Sequence, residues 1–244
     1  MMKLTDRIIV ALDNMNESEV YAFLDQANHS YQTVKIGLEL FYLLGPDFVK
    51  KIHHQYGVDI FLDLKLHDIP NTVRKAIRSL KNLPVKFLTV HLTGGKNMLT
   101  EALEEASVSL PGTSLLGVSF LTSLGAHDFI EIYNFKETEV KATFSNLFKL
   151  ALQTNIHGVV LSPLELDIVK KEEKLIGKKL IKVTPGIRFV DEIKSNLVQD
   201  QQRIATPEMA IQNGADFLVM GRSITQQVHG SYLRLNALNT LVRK

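Results

Sequence analysis

Val58-Asp59-Ile60-Phe61-Leu62-Asp63-Leu64-Lys65-Leu66-His67-Asp68-Ile69-Pro70-Asn71-Thr72 is the stretch that decides the fold. The run from Val58 to Leu62 reads as a strand, and along a strand successive side chains face opposite ways. Asp63 and Lys65 therefore point to one face, and Leu62, Leu64 and Leu66 to the other. Pro70 suits the first turn of a helix, and Asp68 just ahead of it suits the cap. The order is strand, charged tip, short turn, helix. Two carboxylates and an ammonium gather at a strand's carboxyl end, an expensive place for charge unless it has work to do.

The same unit repeats in both directions. Arg7 to Asp13, Thr33 to Glu39, Lys86 to Leu92, Ser114 to Leu121, His157 to Leu161, Leu180 to Thr184 and Phe217 to Gly221 all read as short strands. Between them lie stretches with apolar residues at helical spacing: Asn14 to Asn28, Pro46 to Tyr56, the segment opened by Pro70, and one through Leu99, Ala102, Leu103 and Ala106. A longer excursion after the fifth strand ends in a helix through Val140, Phe144, Leu147 and Ala151. Pro163 opens the next helix, and Pro207 opens a short one closed by Gly214. The last runs through Val228, Leu235, Leu238 and Leu241. Pro185 to Thr206 is polar with little periodicity, as long functional loops are. Eight strand–helix units without a break in composition imply a parallel sheet closed into a (β/α)8 barrel, an α/β fold expected to form a single domain over residues 1–244.

Composition sets outer bounds. Of 244 residues, 45 % are hydrophobic and 22 % charged, which is ordinary for a globular chain. A formal net charge of +2 gives no basic field of the kind that holds nucleic acid. The absence of cysteine excludes disulfides, thiolate catalysis and cysteine zinc sites. The early apolar run, Ile8 to Leu12, is too short for a signal peptide or a membrane span, so a soluble cytoplasmic protein is expected.

In such a barrel the functional groups collect where the strands end. The first strand ends in Asp13, the second carries Lys35, and the third carries Asp63 and Lys65 with Asp68 beyond. The fifth ends near Thr122 and Ser123, the seventh runs into Arg188, and the eighth into Gly221-Arg222. Each has a plainer reading when taken singly: Asp13 and Asp68 as helix caps, Lys35 as half of an ion pair, Gly221-Arg222 as a strand end. His53, His54 and His127 read as surface residues. His67 and His91 could join Asp63 around a metal, but hydrogen-bonded structural histidines are the commoner case. The plain readings weaken together, because an unpaired buried charge is costly and an alternating array of lysines and aspartates is what survives burial. Glycine and arginine after strands seven and eight suit a phosphate. No Gly-x-Gly-x-x-Gly or Gly-Lys-Ser/Thr loop is present.

Asp63-Leu64-Lys65-Leu66-His67-Asp68-Ile69-Pro70-Asn71-Thr72 closely resembles the signature of the orotidine 5′-phosphate decarboxylase family. Val10-Ala11-Leu12-Asp13, Val34-Lys35-Ile36-Gly37, Leu121-Thr122-Ser123, Thr184-Pro185-Gly186-Ile187-Arg188, Asp200-Gln201-Gln202-Arg203-Ile204 and Gly221-Arg222-Ser223-Ile224-Thr225 resemble that family's bacterial form, in order and over nearly the whole chain. The one small departure is Ser223, where the family pattern has proline.

The resemblance implies a cofactor-free and metal-free decarboxylation of orotidine 5′-monophosphate at a small-molecule site. Asp13 and Lys35 would bind the ribose hydroxyls, Asp63 would face the substrate carboxylate, and Lys65 would deliver the proton. Asp68 and Thr72 would reach the neighbouring site of a homodimer. Thr122 would contact the pyrimidine, and Arg188, Gln201, Gly221 and Arg222 would hold the phosphate under the 185–206 loop. Two rivals stand beside it. A metal-dependent sugar-phosphate decarboxylase or aldolase of the same superfamily would share the Asp-x-Lys-x-x-Asp core, but carries an acid where this chain has Lys35. A non-catalytic phosphate-binding barrel gives no reason for Lys65 between two acids.

Overall fold

The computed structural model describes residues 3–194 and 204–238. Its strands are β1 (Ile8–Ala11), β2 (Thr33–Gly37), β3 (Asp59–Leu66), β4 (Val85–His91), β5 (Ser114–Val118), β6 (Gly158–Val160), β7 (Ile181–Thr184) and β8 (Phe217–Met220). They are parallel, pair in chain order and close by β8 returning to β1, so the expected (β/α)8 barrel is the observed fold. The helices are α1 (Glu17–Ala27), α2 (Leu38–Tyr56), α3 (Pro70–Ser79), α4 (Gly95–Ser109), α5 (Ala126–Tyr133), α6 (Glu137–Thr154), α7 (Leu166–Ile176), α8 (Val190–Lys194), α9 (Pro207–Gln212), α10 (Arg222–Thr225) and α11 (Val228–Leu238). No helix among the described residues is long and apolar enough to cross a membrane.

Alternation along each strand sorts side chains into two cores. Ile9, Ala11, Phe61, Phe87, Leu116, Val118, Val160, Val183 and Val219 fill the barrel, while their neighbours Ile8, Val10, Ile60, Leu62, Leu88, Leu115, Val159 and Leu218 pack outward under the helices. Local signals fix the helices. Asn16 and Glu19 form a reciprocal capping box on α1, with distances of 3.0 and 2.8 Å, and Asn28 ends that helix in the left-handed conformation. Buried Glu105 on α4 takes hydrogen bonds from Arg78 on α3 (3.0 and 2.6 Å), Arg74 (3.3 Å) and Ser109 (2.6 Å), which locks the two helices together.

Several details differ from the sequence reading. α2 starts at Leu38 rather than Pro46; Gly45 (φ 71°) breaks it, because Pro46 bars the preceding residue from helical geometry. The excursion after β5 holds two helices, α5 and α6, rather than one. The 185–206 segment carries α8 and a parallel bridge from Ile187 to Ala205. Asp68 is not the cap of α3. That position belongs to Ile69, which makes no side-chain cap, and the Asp68 carboxylate accepts instead from the Ile69 N–H at 2.7 Å. Leu241, assigned to the last helix, lies outside the described residues.

Gly158 shows how tightly the barrel is filled. A Cβ there would stand 2.5 Å from the Ile181 carbonyl oxygen, 2.7 Å from Ile181 Cβ and 2.8 Å from Leu116 Cδ2. Gly158→Ala is expected to destabilise the fold by about 1–3 kcal/mol, the usual range for overpacking. A lowered urea midpoint checks this, and an unchanged midpoint would contradict the packing described.

Candidate active site

Closure of the barrel brings the carboxyl ends of β1, β2 and β3 side by side. Lys35 sits at an inward position of β2, paired with Ala11, and Asp63 at an inward position of β3, paired with Gly37. Asp13 follows β1 by two residues. Lys35 Nζ donates to Asp13 Oδ1 at 2.7 Å and lies 3.5 Å from Asp63 Oδ2. Lys65 Nζ donates to the same Asp63 oxygen at 2.8 Å. Asp13, Lys35, Asp63 and Lys65 therefore form the alternating chain of charges expected from sequence. Lys35 and Asp63 are both buried. Burial alone would raise the Asp63 carboxyl, but Lys35 and Lys65, with hydrogen bonds from Lys65 and Thr89, hold it below the usual aspartate value.

This array forms one wall of a cavity of about 350 Å³, at the lower end of the usual size of about 300–1,000 Å³ for small-molecule sites. Ala11, Phe61, Val118, Val160 and Val219 at the top of the barrel core supply its apolar floor. Thr122, Gly221, Arg222 and Arg188 also line it. β7 stands four places from β3 in the closed order, so Arg188, four residues past the end of β7, enters from the side of the barrel opposite Asp63. The Arg188 N–H donates to the Ala205 carbonyl at 3.1 Å, which anchors the start of the loop after β7.

Not every expected site residue comes to this cavity. Asp68 and Thr72 are exposed and lie outside its lining. Gln201 lies outside the described residues. Conversely, two residues went unassigned in the sequence. Gly37 gives the array its room, since a Cβ there would stand 2.7 Å from Asp13 Oδ1 and 3.1 Å from Lys35 Nζ. Thr89, fully buried on β4, donates its hydroxyl to Asp63 Oδ1 at 2.9 Å and accepts from the Lys65 backbone N–H at 2.8 Å. The signal for Thr89 was a polar residue at an inward position between Phe87 and His91.

His91 packs against His67, with ring centroids 5.0 Å apart. Among the described residues, no three acidic or histidine side chains gather as a metal site. Simple strand alternation also fails at the tip. The four residue steps of β3 from Leu62 to Leu66 are matched by only two on β4, from Leu88 to Val90, and Lys65 sits at φ 48°. The expected meeting of Asp63 and Lys65 is thus made through a bulge, not through regular pleating.

The fold and this mouth define a barrel enzyme acting on a small anionic molecule. Comparison with known proteins makes the class specific. Residues 6–230 match the family model described as "Orotidine 5'-phosphate decarboxylase / HUMPS family". An orotidine 5′-phosphate decarboxylase of Staphylococcus epidermidis is 42 % identical over 221 residues, covering 91 % of this chain and 92 % of that one. One from Vibrio vulnificus is 39 % identical over 241 residues, covering 98 % of each chain. The crystal structure of orotidine 5′-phosphate decarboxylase from Lactobacillus acidophilus superimposes with a TM-score of 0.77 at 34 % identity, covering 95 % of this chain and 98 % of that one. The chain belongs to the orotidine 5′-phosphate decarboxylase / HUMPS family.

His91 yields a pH prediction. Burial, then His67 and Lys65, lower its imidazole to about 4 against partial opposition from Asp63. The unfolded chain, with an ordinary histidine near 6.5, then binds more protons than the folded one between about pH 4 and about pH 6.5. This contribution to stability is complete above that window and is lost as pH falls through it. Urea midpoints measured across the window should fall with pH, and His91→Asn should flatten that part of the slope. Equal slopes in the two proteins would contradict the burial of a neutral ring.

Proposed function

We propose that the chain decarboxylates orotidine 5′-monophosphate to uridine 5′-monophosphate and carbon dioxide, the closing step of UMP synthesis. It is a carbon–carbon lyase in this reading. The observation that carries the proposal is the Lys65 ammonium, held 2.8 Å from Asp63 at the edge of an apolar-floored cavity in a chain of this family. When the bond from C6 to the carboxylate breaks, its electron pair stays on C6. No adjacent carbonyl delocalises that pair fully. Lys65 stabilises the developing charge, then gives its proton to C6, and solvent reprotonates the amine.

Asp63 faces the substrate carboxylate. Two like charges ~4 Å apart at an effective dielectric of 20 repel by about 4 kcal/mol, relieved as carbon dioxide departs. The two lysines flanking Asp63 offset much of that repulsion, so the larger share of the catalysis falls to Lys65. Asp13 and Lys35 take the ribose hydroxyls, Thr122 the pyrimidine, and Arg188, Gln201, Gly221 and Arg222 the phosphate. Asp68 and Thr72, exposed and away from their own cavity, serve the neighbouring site in a homodimer, and the enzyme acts in the cytoplasm. The metal-dependent alternative is disfavoured by Lys35, whose ammonium, 2.7 Å from Asp13 and 3.5 Å from Asp63, would repel a divalent cation.

Purified protein should remove the orotidine 5′-monophosphate absorbance in excess chelator; a folded protein that leaves it unchanged would overturn the proposal. Lys65→Ala should lower kcat by at least ~10³-fold, given the combined worth of proton transfer and electrostatic stabilisation, while the protein still folds and binds nucleotide. Arg222→Ala should raise KM by roughly 10- to 150-fold, the equivalent of one charge-assisted hydrogen bond of about 1.5–3 kcal/mol. Steady-state kinetics separate these two effects, and normal KM in the arginine variant would remove Arg222 from the phosphate site.

A further inference from the structure

The Thr89 hydroxyl sits between the two groups that face the reaction. A carboxylate only accepts hydrogen bonds and a backbone N–H only donates, so the hydroxyl has one way to serve both. Its proton goes to Asp63 Oδ1 at 2.9 Å, and a lone pair receives the Lys65 N–H at 2.8 Å. Lys65 has no partner residue in the ladder between β3 and β4. The bulge sets Leu62 opposite Leu88 and Leu66 opposite Val90, so the intervening β3 residues leave the regular ladder with β4. Lys65 takes φ 48°, a conformation costly for a residue with a Cβ and retained only when the surroundings enforce it. Thr89 is fully buried, so no water competes for the hydroxyl at its own position.

We propose that Thr89 is a positioning residue of the decarboxylase site. Through one hydroxyl it fixes the Asp63 carboxylate so that Oδ2 meets the lysines, and it pins the bulged backbone from which the Lys65 ammonium extends. Oδ1 is occupied by Thr89, and both Lys65 Nζ (2.8 Å) and Lys35 Nζ (3.5 Å) fall on Oδ2. Without the hydroxyl, the carboxylate can rotate and the Lys65 backbone can relax towards ordinary strand geometry. Both changes displace the proton donor from its place above the cavity floor. The hydroxyl also helps hold the Asp63 carboxyl low, so its loss acts on the acid side of the pH profile as well as on rate.

The inference rests on the proposed decarboxylation, and the test separates the two. Unmodified protein, Thr89→Val, Thr89→Ala and Thr89→Ser are assayed together with orotidine 5′-monophosphate across pH. Thr89→Val replaces the hydroxyl with a methyl group, and Thr89→Ala leaves room for a water in its place, so one reports if the other does not fold. Expected is a fall in kcat of about 10²-fold, typical of a misplaced catalytic group, with KM within about threefold. Its acid limb should move to higher pH, and Thr89→Ser, which keeps the hydroxyl, should restore kcat to within about threefold of the unmodified protein. If both hydroxyl-free variants keep kcat within about twofold, if KM rises while kcat holds, or if serine fails to rescue, Thr89 does not position the pair. If the unmodified protein itself leaves orotidine 5′-monophosphate untouched, the functional reading fails instead.

Discussion

Asp63 is a carboxylate inside a protein, and the site depends on its staying ionised. Burial works against that. Lys35 and Lys65 reverse the balance, and Thr89 completes the set of partners. Lys35 in turn is buried and stands between two carboxylates. Every member of the array stabilises the charge on the next, so the four cannot be treated as independent. The barrel contributes only adjacency: closing the sheet in chain order sets the ends of β1, β2 and β3 together, and Gly37 leaves the space in which their side chains meet.

The opposite end of the barrel carries charge of a different kind. Lys182 pairs with Glu173 at 3.1 Å and with Asp216 at 3.2 Å, and Glu173 also accepts from the Leu180 N–H at 2.8 Å. Arg7 donates to the carbonyl oxygens of Ala215 and Asp216. These groups satisfy one another across strand and helix ends. At the carboxyl end the charges stand over the cavity floored by the barrel core. That division between a stabilising face and a reactive face is what the fold offers a catalyst.

Much of the architecture was legible because the strands are short, apolar and evenly spaced between amphipathic helices. The charged tip of β3 was legible because aspartate and lysine rarely end a buried strand without cause. What stayed hidden depended on local geometry that letters alone do not carry. Pro46 read as a helix start, although the chain was already helical from Leu38 and only kinks there. Asp68 had the chemistry of a cap, but Ile69 occupies the capping position. Lys65 seemed to follow simple alternation, yet a bulge places it. Thr89 looked like one more β-branched strand residue, and its partners became visible only once β3 and β4 were side by side.

The left-handed backbone at Lys65 has a consequence for anyone engineering this protein. Glycine, and to a lesser degree asparagine, adopts that conformation with far less strain than a lysine does. A search for stabilising substitutions guided only by backbone fit would therefore favour changing residue 65, and would discard the ammonium to which the proposed mechanism assigns the proton. Robustness and reactivity pull against each other at this position. A more heat-tolerant version of the enzyme has to gain its stability elsewhere, in the helices and at the closed end of the barrel, and leave that strain in place.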